Sequence, residues 1–89
     1  MARIEGLPLE WLTSQTDLEI LRGRVDDLPV SDRAEVWNDI SSFAAEMAEG
    51  DELWGYSNGD EAWAKKCGTA GLAIVRAGRI VSALQLIMN

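Results

Sequence analysis

Histidine is absent from this chain, and cysteine occurs once, at Cys67. Without an imidazole, neither a Ser-His-Asp nor a Cys-His nucleophile can be assembled, and no histidine-ligated zinc site can form. A single thiol excludes an internal disulfide and a multi-cysteine metal centre, and it suits a reducing cytosol better than secretion. Bases are scarce: eight Lys and Arg stand against 15 Asp and Glu, for a formal net charge of −7. Such a chain repels phosphate backbones and anionic lipids, which argues against direct contact with nucleic acid or a membrane surface. Long apolar runs are missing too. MARIEGLPLEW has no signal-peptide core, and the apolar stretch near the C-terminus is broken by Ser82 and Gln85 and is too short to span a bilayer. A cytoplasmic location is the expectation.

What is present is ordinary globular composition: 89 residues, 47% hydrophobic and 26% charged. That length points to one domain, residues 1–89. A chain this short buries roughly 60–65% of the surface its unfolded form exposes, enough for one modest core. A deep, enclosed active site is hard to fit beside it. No nucleophile constellation, metal cluster or cofactor motif is recognisable, so neither an enzyme nor a bound cofactor is expected.

Hydrophobic periodicity divides the chain into an N-terminal arm (1–15), a helical part (16–49) and a β-rich part (51–89). In the arm, Leu7, Leu9, Trp11 and Leu12 are expected to anchor onto the domain. Thr16 to Glu19 has the form of a capping box, and Leu18, Leu21, Val25 and Leu28 then share one helix face until Pro29. Ser31 is a natural cap for a second helix over 32–49, in which Val36, Trp37, Ile40, Phe43, Ala44 and Met47 form an apolar stripe. Gly50 is placed to end it. Glu52–Ser57 reads as an aromatic strand, residues 61–67 as a short helix, and 71–76 and 79–88 as strands joined at Ala77-Gly78. The expectation is an α+β fold: two N-terminal α-helices on a small three-stranded antiparallel sheet, with a short helix between strands 1 and 2.

The stretch DELWGY at 51–56, Trp63, and GTAGLAIVRAGRIV at 68–81, with a C-terminal MN, resemble a pattern of small uncharacterised bacterial proteins. That pattern runs DELW, an aromatic, a following Trp, then Gly-x-x-Gly-x-Ala-[Ile/Leu]-Val-Arg-x-Gly. The resemblance implies a shared fold over roughly residues 51–89 and carries no activity.

Charge is distributed unevenly. Residues 1–61 hold all 15 acids and only Arg3, Arg22, Arg24 and Arg33, a charge of −11. Residues 62–89 hold Lys65, Lys66, Arg76 and Arg79 and no acid. On the second helix Asp32, Glu35, Asp39, Ser42, Glu46 and Glu49 recur at steps of 3, 4, 3, 4 and 3, a single-sign stripe expected opposite the apolar one. Like charges at these spacings repel by a few tenths of a kcal/mol each. The stripe reads either as a solvated face or as a docking face for a basic partner. Trp54 and Tyr56 share one face of the first strand and complete the candidate partner-binding set. The last strand is apolar on both faces, Leu84, Leu86 and Met88 on one and Val81, Ala83 and Ile87 on the other. Its second face calls for a cover: the N-terminal arm, or a second copy in a homodimer.

Three local motifs read more simply as structure. Gly68 to Gly71 lacks the order of a phosphate loop and suits a turn with close strand packing. Asp51-Glu52 with Asp60-Glu61 lacks the spacing of a calcium loop. Cys67 beside Lys65 and Lys66 has no base or resolving thiol. The expected function is that of a small acidic inhibitor docking on a basic, nucleic-acid-handling protein, as anti-CRISPR and anti-restriction proteins do. An immunity protein or antitoxin neutralising a toxin is the alternative. A homo-oligomeric bacterial protein is the third reading.

Overall fold

A computed structural model describes residues 2–88. Along the chain run β1 (Ala2–Arg3), a 3-10 turn (Leu9–Trp11), β2 (Leu12–Thr16), α1 (Leu18–Val25), α2 (Val30–Ala44), β3 (Glu52–Ser57), α3 (Asp60–Ala64), β4 (Thr69–Arg76) and β5 (Arg79–Met88). The strands join one antiparallel sheet in the order β1-β5-β4-β3-β2. The fold is therefore α+β, but the expected three-stranded sheet is corrected to five strands among the described residues, alongside α1, α2 and the short α3. The two additional strands come from the arm. β1 pairs through two residues only, Ala2 with Gln85 and Arg3 with Leu84, too few for any periodicity to show. β2 is LTSQT, an edge strand with no apolar alternation, held by pairing Gln15 with Trp54 and Thr16 with Leu53.

β1 and β2 occupy opposite edges, so residues 4–11 must cross the sheet. They cross the face away from α1 and α2. Leu7 is buried there, with Ile4, Trp11, Leu12 and Ile80 packed around Tyr56, Ala73 and Ala83. Ala73 and Ala83 are directly paired and almost inaccessible, and their small side chains leave room for the crossing backbone. The arm thus covers the second sheet face. The other face carries the main core. Leu53, Leu72, Ile74 and Leu84 of the sheet meet Leu21 and Val25 of α1 and Ile40 and Phe43 of α2. Trp37 is only half-buried at the edge of this core, with the Arg22 guanidinium 4.9 Å from its ring centroid. The Met88 side chain and Asn89, placed by sequence on the last strand and in the MN ending, lie outside the described residues.

The helix ends differ from their sequence signals for local reasons. Asp17, not Thr16, caps α1, its Oδ1 accepting the Ile20 amide at 2.9 Å, while Thr16 completes β2. α2 begins one residue before Ser31, behind Pro29, and has no side-chain cap. It stops at Ala44 rather than at 49. Beyond it, the Glu46 and Met47 amides form tighter bonds to the Phe43 and Ala44 carbonyls, both at 3.1 Å. The Ala48 amide donates instead to Asp51 Oδ2, at 2.9 Å, which removes it from any helical ladder. α3 spans five residues, and Gly68 closes against its Trp63: a Cβ on Gly68 would stand 2.3 Å from Trp63 Cδ2. Ala77 and Gly78 have φ of 52° and 78°, the paired positive values of a two-residue hairpin turn that matches strand twist. No helix among the described residues is long and apolar enough to cross a membrane.

Asp51 ties this framework together. Its carboxylate accepts Arg76 Nε and one terminal guanidinium nitrogen, both at 2.8 Å, besides the Ala48 amide. The side chain is 1% accessible, and these bonds, led by Arg76, hold its pKa at about 2. A carboxylate whose folded pKa is depressed stabilises the fold above its unfolded value of about 3.9 and loses that contribution as pH falls through the folded one. The melting temperature of the wild type is therefore expected to fall more steeply between pH 5 and about pH 2 than that of Asp51→Asn. Parallel melting curves for the two proteins across that range would show that the clamp does not form.

Candidate functional site

The acidic stripe is shorter than the sequence implies, and it sits elsewhere on the helix. Only Asp32, Glu35, Asp39 and Ser42 belong to α2; Glu46 and Glu49 lie in the turns beyond it. At 3.6 residues per turn Asp39 projects about 40° from Phe43, so the stripe borders the buried face instead of opposing it. Asp39 is accordingly half-buried, while Asp32, Glu35 and Glu49 are exposed. None of these four carboxylates has an ion-pair partner among the described residues.

Glu46 does a different job. Its Oε1 accepts from Arg3 Nη1 at 2.8 Å and its Oε2 pairs with Arg3 Nη2. The same guanidinium lies over the Phe43 ring, 4.8 Å from its centroid, and donates to Ser82 Oγ at 3.0 Å. Glu46 thereby clasps the two-residue strand β1 to the end of α2. The Arg3 bond lowers the Glu46 pKa and raises that of Arg3. The Glu46 of the stripe is thus tied to the fold through Arg3, in a pair that stays half exposed.

Trp54 and Tyr56 do lie on the same side of β3, but it is the arm-covered side, away from α2. Tyr56 is 2% exposed, its hydroxyl 3.0 Å from Thr69 Oγ1, and burial pushes its pKa up. It is a core residue and cannot meet a partner. Trp54 is half-buried, its Nε1 donating to Glu52 Oε1 at 3.1 Å. The structure does not bring these aromatics into one surface with the carboxylates. Cys67 is exposed, its thiol donating to the Lys65 carbonyl at 3.6 Å. Asp51 faces Arg76, and no group of three or more carboxylate or thiol side chains able to hold a metal occurs among the described residues.

A feature absent from the sequence reading lies between α1, α2 and the β2 end of the sheet: a cleft of about 440 Å³. α1 lends it Leu21 and Val25, α2 lends Val36 and Ile40, and the sheet lends Leu72 and Leu86. The hydroxyl residues Thr13, Ser14, Thr16 and Ser57 and the cation Arg24 also line it. The space exists because Gly55 and Ala70 present almost no side chain there. A glycine at a helix-facing position of the aromatic strand was the one sequence signal of it. The register shift between Ala70 and Gly71 lets neighbouring Leu86 and Ile87 both border the cleft, which strict alternation forbids. Neither a protein-family model, a curated protein nor a solved structure matches the chain.

Proposed function

We propose that this chain is a small acidic protein-binding inhibitor that docks on a basic, nucleic-acid-handling protein, in the manner of anti-CRISPR or anti-restriction proteins. The observation that carries this reading is the uncompensated charge of α2: Asp32, Glu35 and Asp39 project along one border of the helix with no ion-pair partner among the described residues. Glu49 extends the same charge beyond the helix end. A helix border with like charges three and four residues apart is destabilised by their repulsion, and the one base of α2, Arg33, donates to the Leu28 carbonyl and pairs with none of them. In return, its field attracts an oppositely charged surface and raises the association rate. The docking face on this reading is Asp32, Glu35, Asp39 and Glu49, without Glu46, Trp54 or Tyr56.

The test uses Glu35→Gln, Asp39→Asn and Glu49→Gln together, sparing Glu46, which holds β1, and Asp32, which favours the positive end of α2. The melting temperature is expected to hold or rise slightly as repulsion is relieved. A basic protein recovered on the wild type from a bacterial host lysate is expected to bind the triple variant with an on-rate about tenfold slower and a flatter salt dependence. Recovery of no basic protein, or binding with unchanged on-rate and salt slope, overturns the proposal and leaves the acids as a solvated face.

A further inference from the structure

We propose that the cleft between α1, α2 and the sheet binds a small aliphatic carboxylate, a free medium-chain fatty acid, independently of the docking face on α2. Its volume of about 440 Å³ falls within the range of small-molecule sites, roughly 300–1,000 Å³. The walls are branched aliphatics from both layers, among them Val25, Val36, Ile40 and Leu86. They match a flexible hydrocarbon chain, whose entry releases water from apolar surface.

The charge of the lining decides the head group. The chain carries 15 acidic residues, yet none lines the cleft, while one cation, Arg24, does. Arg24 has neither an ion pair nor a side-chain hydrogen bond among the described residues. A cationic ligand would meet repulsion and no counter-charge; a carboxylate meets a guanidinium able to hold both its oxygens. Ser57 adds a donor. Its Oγ already accepts Trp63 Nε1 at 3.1 Å and the Gly59 amide at 3.4 Å, which leaves its own hydroxyl proton for an oxygen in the cleft.

The probes are sodium decanoate, decanol and acetate, titrated calorimetrically into the full chain and into two variants. Decanoate is expected to bind saturably at one site and to raise the melting temperature, decanol to bind about tenfold more weakly, and acetate not to bind. Arg24→Gln, an exposed position, is expected to weaken decanoate to the level of decanol while leaving decanol unchanged. Val36→Phe, which fills the cleft, is expected to abolish both. No saturable binding of decanoate overturns the proposal. So does equal affinity for decanoate and decanol that Arg24→Gln does not alter, or decanoate binding that a folded Val36→Phe retains. Should Val36→Phe fail to fold, the Arg24→Gln comparison decides by itself.

Discussion

Phe43→Ala is expected to leave the protein largely unfolded near its normal melting temperature, with a loss of about 3–5 kcal/mol, the usual range for truncating a buried aromatic. Phe43 is 0% exposed and touches the main core from the last turn of α2. Total stability in a domain of this size is about 5–10 kcal/mol, so one side chain represents a large share of it. The loss reaches further than the cavity. The Arg3 guanidinium rests on the Phe43 ring while it pairs with Glu46, so alanine also removes the platform that seats β1. A melting-temperature fall of roughly 12 °C or more is expected, with faster exchange of the Ile4 amide, which donates to the Ala83 carbonyl where the arm meets β5. Phe43→Leu keeps apolar volume and is expected to fall by a small part of that. Trp37→Ala, at a half-buried position, is expected to cost less than Phe43→Ala. The reverse order of these two alanine variants in a urea titration would show that α2 presents a different face to the sheet.

Gly71→Ala is expected to reach or exceed the upper end of the roughly 1–3 kcal/mol that overpacking usually costs. A Cβ on Gly71 would stand 2.0 Å from the Leu84 carbonyl oxygen and 2.9 Å from the Leu86 amide nitrogen. Both are main-chain atoms of the neighbouring strand, so no rotamer change relieves the clash. Relief requires β4 and β5 to part beside the register shift that already interrupts their pairing at Ala70 and Gly71. The melting temperature is expected to fall by roughly 10 °C or more. Gly23→Ala is the matched control: its Cβ meets open space on α1, and alanine there is expected to raise stability by roughly 0.5–1 kcal/mol. A Gly71→Ala protein melting within two degrees of wild type would mean that β5 does not approach β4 as described.

Local chemistry was legible along the chain. Alternating and 3.6-residue patterns place α1, α2 and strands β3 to β5 near their observed positions, because each buries one face and must repeat it at its own period. The turn at Ala77-Gly78 was legible through Gly78, which adopts a positive φ without a Cβ penalty, while Ala77 is held at φ 52° by the hairpin it closes. The absence of histidine and the concentration of acids before residue 62 are properties of composition, independent of fold. Whatever depended on residues far apart in the chain was settled by tertiary structure alone. β1 and β2 became strands because the edges of β5 and β3 offered them hydrogen bonds, and their crossing segment closed the second sheet face. Glu46 left the acidic stripe because Arg3, 43 residues earlier, came within reach of it. Tyr56 went inward because the arm lay over it, and the cleft opened where Gly55 and Ala70 met the helices without side chains to fill the gap. Periodicity records which face of an element is apolar, but the partner that meets that face is chosen by the path of the whole chain.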